Sequence, residues 1–451
     1  MYATSTPPSP RAHPILGSAI DLRRSQITTY ERAMREHGDV VRFEIGPPGL
    51  RLELYGIFHP DGVRRVLAGP RGTYTKLNRF YTEIAAAFGD GLLTTEGEQW
   101  ERQRRLTQPL FTRKTIAGYS DLMAEEAALL SDRWARSGGV VDANAEMVRL
   151  TLRVVGRAIF GDDVERAGEV LDWAFPVLNR HMFRRGTSPV VTPRSWPTPG
   201  NRRAARARRA LDQVVDELVA RRRSSGANGD DLLSRLLNAR DAETGRTMDT
   251  QEVRDQALIF LLAGHETTST ALTFTYHLLG RHPDEQERVR AEVDEVVDGR
   301  APTLSDLPAL ERTAMAIKEA MRLYPPAYAT GRLLNTDDEI GGYRIPAGAN
   351  VVVSQWATHR HPGFWPQPER FDPERFTAER EAARHPNAYF PFGHGPRSCI
   401  GSHFAMLESV VAVAAVLQRY RIVSESERVA LDTHGITLRP AGAVPLRVEP
   451  R

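Results

Sequence analysis

The sequence predicts a mainly helical protein with smaller β regions, an α+β fold. From about residue 98 to 300 the pattern is mostly helical, interrupted by a Pro/Gly-rich loop at 186–200 and a polar loop at 224–231. Strand-like alternation occurs earlier, at Val40–Ile45 and residues 50–55. From about residue 324 to 400, helix gives way to short strands, turns and a proline-rich meander. A final helix over about 402–420 and a strand-rich tail complete the predicted order.

These segments are expected to form one domain of 451 residues, because no repeat or long linker divides them. Its parts are a strand-containing region (1–97), a helical region (98–323), and the meander, cysteine loop, last helix and tail (324–451). A hydrophobic fraction of 41% with 26% charged residues is typical of a globular protein. The net charge of only +3 gives no global reason to expect a nucleic-acid or membrane partner.

The chain has features of a cytoplasmic protein without a membrane anchor. A single cysteine excludes an intramolecular disulfide framework and suits a reducing compartment. The N-terminus is polar and proline-rich, unlike a secretory signal. The longest apolar runs, at 257–263 and 410–417, are too short to span a bilayer.

The clearest element is a long central helix. Asp249 or Thr250 can cap its start, with Glu252 in capping-box relation to Asp249, and Gly280 is expected to end it. Its middle is apolar on every side and should be buried. Glu266 and the residues beside it interrupt that apolar stretch, which is costly unless the polar groups are satisfied or used.

The only cysteine, Cys399, lies in a glycine-rich loop before an amphipathic helix. Glycines allow a tight turn and close approach to a planar partner, and a helix N-terminus favours thiolate over thiol. Arg397 can reach an anionic group of the same partner. Taken alone, Cys399 can also be a buried structural cysteine or a nucleophile, although no histidine and asparagine partners are evident.

Five motifs together resemble the cytochrome P-450 family. Phe392, Gly395, Arg397, Cys399 and Gly401 match its signature F-x-x-G-x-R-x-C-x-G. Residues 263–268 (AGHETT) look like its oxygen-activation motif, and Glu319 with Arg322 like its E-x-x-R pair. Residues 371–376 (FDPERF) resemble its meander motif, and Trp100 with Arg104 its W-x-x-x-R motif.

The resemblance implies a haem b group between the long central helix and the cysteine-loop helix, with the Cys399 thiolate as the iron ligand. The other residues then expected to contact haem are Trp100, Arg104, Ala263, Gly264, Arg332, His359, Phe392, Gly393, Arg397 and Gly401. Gly264 is expected to leave room for oxygen and substrate. Arginine pairs bidentately with carboxylates and therefore suits the haem propionates.

The resemblance also assigns catalytic and structural roles. Glu266 and Thr267 would be an acid–alcohol pair that delivers protons to dioxygen, although Thr267 can instead bond back to its own helix. Glu319 and Arg322 would join Arg375 in a buried structural triad; the alternative is an ordinary surface pair.

The implied activity is dioxygen-dependent monooxygenation, a hydroxylation or epoxidation of a hydrophobic small molecule such as a terpenoid or polyketide. Peroxygenase or isomerase activity on the same haem is the alternative. The expected substrate pocket is largely apolar, although several of its residues can equally belong to the core: Phe80, Tyr81, Ile84, Phe183, Phe260, Ala263, Ala327, Tyr328 and Ile436.

We expect no fused reductase domain, and we therefore expect electrons from NAD(P)H to arrive through a separate ferredoxin or flavodoxin and its reductase. Arg102, Arg105 and Arg113 can steer such a partner or form an ordinary solvated face. A run of arginines between Arg202 and Arg223 raises nucleic-acid binding as another class of function. Apolar residues recur between them at helical spacing, so a helix with a basic outer face is the favoured interpretation.

Overall fold

The computed structural model describes residues 6–161, 164–188, 191–224, 226 and 229–451. Helices dominate, as predicted. The α-helices are α1 (Ala19–Arg24), α2 (Gln26–His37), α3 (Pro60–Ala68), α4 (Arg79–Phe88), α5 (Gly97–Thr107), α6 (Arg113–Ala117), α7 (Ser120–Ala135), α8 (Ala143–Phe160), α9 (Val164–Thr187), α10 (Pro199–Ser224), α11 (Leu232–Asn238), α12 (Thr250–Arg281), α13 (Pro283–Val297), α14 (Glu311–Leu323), α15 (Gln355–Thr358), α16 (Ala378–Ala383) and α17 (Ser402–Leu417).

The strands are short. They are β1 (Val40–Ile45), β2 (Leu52–Ile57), β3 (Tyr74–Thr75), β4 (Val140–Asp142), β5 (Thr330–Leu334), β6 (Asp338–Ile340), β7 (Tyr343–Ile345), β8 (Asn350–Val353), β9 (Tyr420–Ser424), β10 (Leu431–Asp432), β11 (Arg439–Pro440) and β12 (Pro445–Pro450). The strand predicted at 50–55 begins two residues later, after an exposed turn at Leu50. The α+β prediction is confirmed.

Contacts along the chain group into two units: residues 1–78 with 318–399, and residues 79–317 with 400–451. The one-domain organisation therefore stays a prediction. The first unit contains a five-stranded sheet in the order β1-β2-β8-β5-β3. Only the β2–β8 pairing is parallel; the others are antiparallel. Valine and isoleucine side chains of this sheet pack against α3 in one core.

The second unit is built around α12. Its predicted capping box is present, since Asp249 accepts from the Glu252 amide and Glu252 from the Asp249 amide. The helix ends at Arg281, close to the expected end at about Gly280 and two residues before Pro283. A Cβ on Gly280 would lie 2.6 Å from the Ser424 nitrogen, so this glycine also permits close packing on β9.

The arginine run lies on α10, a 26-residue helix whose inner face buries Leu211, Val215, Leu218 and Val219. The interpretation as a helix with a basic outer face is confirmed. Within the part of the chain that the structure describes, no helix combines the length and the apolar character needed to cross a bilayer.

Candidate haem and oxygen-activation site

The cysteine loop is a tight turn of the first unit. The Cys399 amide donates to the Phe392 carbonyl at 2.8 Å, which closes the loop, and Cys399 itself is exposed. Gly393 and Gly395 both have φ of +72°, a left-handed conformation that favours glycine. A Cβ on Gly395 would also lie 2.6 Å from the Leu67 carbonyl oxygen of α3. The conformation of the loop therefore requires glycine at positions 393 and 395. Helix α17 begins three residues after Cys399.

Glu319 and Arg322 form a bidentate ion pair on α14, with nitrogen–oxygen distances of 2.6 and 2.8 Å and no solvent exposure of either side chain. Arg375 Nε lies 3.3 Å from the same carboxylate. Arg322 also donates to the carbonyls of His359 at 3.0 Å and of Pro368 at 2.7 Å. The three side chains thus meet within the first unit and tie α14 to the segment that precedes the cysteine loop.

Burial governs the electrostatics of this cluster. Removal from water raises the pKa of Glu319, and the neighbouring guanidinium of Arg322 opposes that shift. Burial also lowers the pKa of Arg375. The Asp372 amide donates to Glu319 at 3.0 Å, which helps to satisfy the carboxylate.

Arg332, on β5, is only 5% exposed. Its Nη1 donates to the Gly331 carbonyl at 2.8 Å, and no carboxylate of the described chain lies within 4 Å of its guanidinium. A buried cation without an acidic neighbour suits an anionic group such as a propionate. Arg397 ends the short 3₁₀ turn Gly395–Arg397 of the cysteine loop.

His359 has a completely buried side chain, and its Nε2 accepts from the Phe390 amide at 3.0 Å. Its ring lies 5.2 Å from those of Tyr389 and Phe390. Burial next to Arg322 lowers the pKa of His359 well below its usual value. Because Nε2 accepts, a neutral ring carries its proton on Nδ1, and Nδ1 has no hydrogen-bond partner among the described residues. The expected propionate contact stays a prediction.

In the second unit, Trp100 and Arg104 lie one turn apart on α5 and are both half-buried. This spacing places them on one face of the helix. Arg104 Nε donates to the Gln108 side chain at 2.8 Å.

The oxygen-activation segment lies where the buried helix α12 becomes accessible. Residues 255–262 and 268–279 are buried, whereas Ala263 is exposed and Thr267, one turn later, is half-buried. The Thr267 hydroxyl donates to the Ala263 carbonyl at 2.6 Å, the back-bond that was the alternative to a catalytic role. Its lone pairs remain able to accept a hydrogen bond.

Glu266 is held by two residues that no sequence motif marks. Asn179 Nδ2, on α9, lies 3.0 and 3.1 Å from the two carboxylate oxygens, and Arg439 Nη1, on β11, lies 3.1 Å from Oε1. Asn179 Oδ1 in turn accepts from the Ile436 amide at 3.3 Å. These residues are distant in sequence and carry no local motif, so only the folded chain brings them together.

Gly264 has a different role from the one expected. A Cβ at this position would lie 2.7 Å from Val155 Cγ2 of α8. The missing side chain therefore permits close packing of α12 on α8; it does not make room for oxygen and substrate.

Most of the expected pocket residues lie in the second unit. Phe80 stacks edge-on against Tyr81 and Phe183 at 6.1 and 6.2 Å, and Phe260 against Phe111 at 5.1 Å. Ile84 is almost fully buried, and Ile436 is half-buried.

Tyr328 and half-buried Ala327 belong to the first unit. The hydroxyl of Tyr328 lies 3.4 Å from Gln26 Oε1 on α2, and the side chain is 4% exposed. Tyr328 is therefore as buried as most of the other expected pocket residues, and its place in a substrate pocket stays a prediction.

These features fit a haem group. Cys399, the only cysteine of the sequence, is exposed, and a single thiolate suits an iron whose other ligands come from a macrocycle. Within the first unit, this thiol can supply a metal ligand and the buried Arg332 a partner for an anion.

Comparisons with known proteins agree along nearly the whole chain. The family model described as Cytochrome P450 matches residues 7–444. Cyclooctat-9-en-7-ol 5-monooxygenase of Streptomyces melanosporofaciens is 37% identical over 93% of this chain and 90% of that protein. Pentalenene oxygenase of Streptomyces avermitilis is 36% identical over 93% of this chain and 92% of that protein.

A solved structure is also similar. The crystal structure of the cytochrome P450DA heme domain aligns with a TM-score of 0.89 at 30% identity, covering 99% of this chain and 98% of that one. These matches agree with the cysteine loop, the accessible part of α12 at Ala263 and the buried ion pairs of α14. They show that the chain belongs to the cytochrome P450 family and is a haem-thiolate monooxygenase.

Proposed function

We propose that this protein oxygenates a bulky, largely hydrocarbon, cyclic substrate of the terpenoid type. The observation that carries the proposal is the accessible surface of α12 at Ala263, in a unit whose expected pocket residues are aromatic or aliphatic. The two relatives above are named for the oxygenation of pentalenene and of cyclooctat-9-en-7-ol. A lining without charge selects apolar ligands by shape and favours hydroxylation or epoxidation of an otherwise unreactive skeleton.

Cys399 is proposed as the thiolate ligand, and the haem supplies, when bound, the binding and reductive cleavage of dioxygen. The helix that starts at Ser402 favours negative charge on the sulfur. Arg332, Arg397 and Arg104 would pair with the propionates, and Trp100 would donate its indole N–H beside them. His359 would donate from Nδ1 to a propionate, and Gly264 is not part of this proposal.

Thr267 and Glu266 are proposed to move protons. The Thr267 hydroxyl is at the accessible part of α12 and can both donate and accept. The Glu266 carboxylate, anchored by Asn179 and Arg439, would pass protons to it from the tail region. Proton delivery of this kind contributes roughly 10²–10⁴-fold to a rate.

Electrons are proposed to arrive from NAD(P)H through a ferredoxin or flavodoxin and its reductase, with all components in the cytoplasm. Arg102 and Arg105 are poor steering residues, because Arg102 pairs with Glu252 at 2.6 Å and Arg105 with Asp241 at 3.0 Å. Arg113 is exposed and remains available for this role.

The deciding experiment is a spectral titration of the haem-loaded protein with cyclic terpenes, macrolides, fatty acids and small aromatic compounds. We expect saturable conversion from the low-spin to the high-spin spectrum with a cyclic terpene or its monohydroxylated derivative. Saturation by a fatty acid alone would contradict the substrate class. If the purified wild type took up no more haem than the Cys399→Ser variant, the role of Cys399 would be contradicted.

The proton-delivery roles need a separate measurement. Thr267→Ala is expected to divert reducing equivalents from product to peroxide, while Thr268→Ala serves as the neighbouring control. If peroxide alone supported full turnover and Thr267→Ala changed neither rate nor coupling, the peroxygenase alternative would replace the dioxygen-dependent one.

A further inference from the structure

The first unit has a cavity between α2 and the segment 359–370, which leads from α15 to the meander motif. Its volume is about 490 Å³, within the range of sites that bind small molecules. Three arginines line this cavity: Arg35 of α2, and Arg360 and Arg370 of the segment. Among the described residues that line it, Glu369 is the only acidic one. The lining is therefore cationic, and the proposed reaction uses none of these side chains.

A buried guanidinium group forms the floor of the cavity. Arg360 is 2% exposed, and its guanidinium carbon lies 3.6 Å from the centre of the Trp356 ring. The ring and the Leu323 carbonyl, which accepts from Nη2, fix the position of the group. Arg360 Nη1 has no hydrogen-bond partner among the described residues. A buried cation with an unused donor favours the binding of an additional anion.

The carboxylate of Glu369 stands where such an anion would bind. Its two oxygens lie 3.1 and 3.3 Å from Arg360 Nε, and one of them lies 3.8 Å from Arg35 Nη2. The side chain of Glu369 is 60% exposed, so water competes for this carboxylate. Burial lowers the pKa of Arg360 in spite of this neighbour. One exposed carboxylate therefore does not offset the removal of the guanidinium from water.

The two other guanidinium groups stand at the rim. Arg35 is half-exposed and pairs with Glu31 at 2.7 Å, and the indole N–H of Trp356 donates to Glu31 at the same distance. Arg370 is exposed, and its Nη1 lies 3.5 Å from the side-chain oxygen of Gln367. Because a guanidinium group has five N–H donors, both arginines can donate to a ligand as well.

A strained turn shapes one wall of the cavity. Gln367 has φ of +48°, in the left-handed region that residues other than glycine rarely adopt. Its carbonyl accepts from the Arg375 guanidinium at 2.9 Å. The carbonyls of Pro368 and Arg370 accept from Arg322 at 2.7 and 3.1 Å. Strain of this kind is common at ligand sites and persists where surrounding contacts hold the backbone. The buried arginines of the α14 cluster therefore hold this wall in place.

We propose that a phosphoryl group binds in this cavity, where it replaces the Glu369 carboxylate at Arg360. Arg35 and Arg370 contact the same group from the rim. Guanidinium groups match phosphate oxygens bidentately. A phosphate monoester offers three acceptor oxygens and a charge of about −1.5 to −2, whereas a carboxylate offers two oxygens and a single charge. It therefore satisfies donors that Glu369 leaves unused.

The test is isothermal titration calorimetry of the full haem-loaded chain, without any turnover, at an ionic strength held constant with chloride. The titrants are inorganic phosphate and adenosine monophosphate, with adenosine as the control without a phosphoryl group. We expect saturable binding of phosphate or of the nucleotide, and a higher unfolding temperature in its presence. Tighter binding of the nucleotide would identify a phosphate monoester as the ligand, and tighter binding of phosphate would identify the free ion.

Two variants should change the affinity in opposite directions. Arg370→Gln should weaken phosphate binding about tenfold, because a hydrogen bond between charged groups is lost. Glu369→Gln should strengthen binding several-fold, because the competing charge is removed while the size of the side chain is kept. The matched controls are Arg32→Gln on α2 and Glu379→Gln on α16, both at exposed positions of the same unit. They change the net charge equally and should leave the affinity unchanged.

Three results would overturn the proposal. One is no saturable binding of phosphate or of the nucleotide by the wild type or by Glu369→Gln. A second is unchanged or weaker binding in Glu369→Gln, which would show that Glu369 supports the fold and does not stand in the place of a ligand. The third is an equal loss of affinity in Arg370→Gln and Arg32→Gln, which would show a response to net charge alone.

Discussion

At the scale of single residues, burial decides function more than residue type does. Glu266 and Glu408 are both buried glutamates of helices in the second unit. Glu266 accepts hydrogen bonds from Asn179 and pairs with Arg439, whereas neither carboxyl oxygen of Glu408 has a hydrogen-bond partner among the described residues. The same side chain is thus an anchored carboxylate at one position and an isolated acid at the other.

Glu408 makes the stability of the protein depend on pH. Burial raises the pKa of its carboxyl well above the ordinary value, so the unfolded chain releases this proton at a lower pH than the folded chain. The free energy of unfolding of the wild type should therefore fall as pH rises above the pKa that Glu408 has in the unfolded chain. It should become constant again once pH exceeds the pKa that Glu408 has in the folded chain.

Glu408→Gln removes that loss. We expect the variant to match the wild type near about pH 4 and to exceed it by about 1 kcal/mol or more near about pH 8. Chemical denaturation across that range measures the difference. Glu427→Gln, at an exposed position, is the control and should show no such pH trend. A variant less stable than the wild type at the higher pH would show that Glu408 is ionised and satisfied.

At the scale of elements, two helical glycines differ in the space around their Cβ positions. A methyl group on Gly264 of α12 would meet Val155, whereas no atom of the described residues lies within 4 Å of the Cβ position of Gly168 on α9. At both positions, a change from glycine to alanine favours the helix by about 1 kcal/mol of intrinsic propensity. The surroundings therefore determine the sign of each substitution.

Gly264→Ala is expected to lower the free energy of unfolding by about 1–3 kcal/mol, because close packing on α8 is lost. Gly168→Ala is expected to raise it by about 0.5–1 kcal/mol. The double variant Gly264→Ala/Val155→Ala should lose less unfolding free energy than the two single variants lose in sum. Simple additivity, measured by denaturant unfolding, would contradict direct contact of these positions.

The buried ion pairs of α14 should be far more sensitive than ordinary helix pairs. Arg322→Ala leaves the Glu319 carboxylate without its bidentate partner and should cost about 3–5 kcal/mol. The matched control is Arg288→Ala on α13, whose pair with Glu285 has the same i,i+3 spacing but is solvent-accessible. That change should cost less than about 1 kcal/mol.

Arg322→Lys should rescue little of this loss. One ammonium group cannot replace a guanidinium that contacts a carboxylate and the carbonyls of His359 and Pro368 together. Full rescue by lysine would indicate that charge alone, and not this geometry, stabilises the region.

At the scale of the whole molecule, the two units are joined by more than one connection. The chain passes between them after Asn78, after Ile317 and after Cys399, and α14 runs through the second of these points. A helix forms cooperatively, so unfolding one end of α14 should destabilise the other.

We therefore expect one cooperative unfolding transition for the haem-loaded protein. Helical circular dichroism and tryptophan emission should give the same midpoint, since Trp356 and Trp365 report on the first unit and Trp134 on the second. Two separated transitions would show that the units fold independently.

The sequence alone determined the class of the protein and was enough to propose its metal ligand. The cysteine loop, the α12 segment and the two helical pairs are local patterns, and local spacing is enough to predict which residues share a turn or a helix face. For the same reason the capping box of α12 and the two faces of α10 were predictable.

Only the tertiary structure decided what distant residues do to one another. It placed Asn179 and Arg439 on Glu266, turned Gly264 toward Val155, enclosed His359 and buried Tyr328 against α2. These outcomes depend on which side chains packing removes from water, and burial of a polar group costs free energy unless a partner, often remote in sequence, compensates it. Spacing along the chain carries no information about such partners.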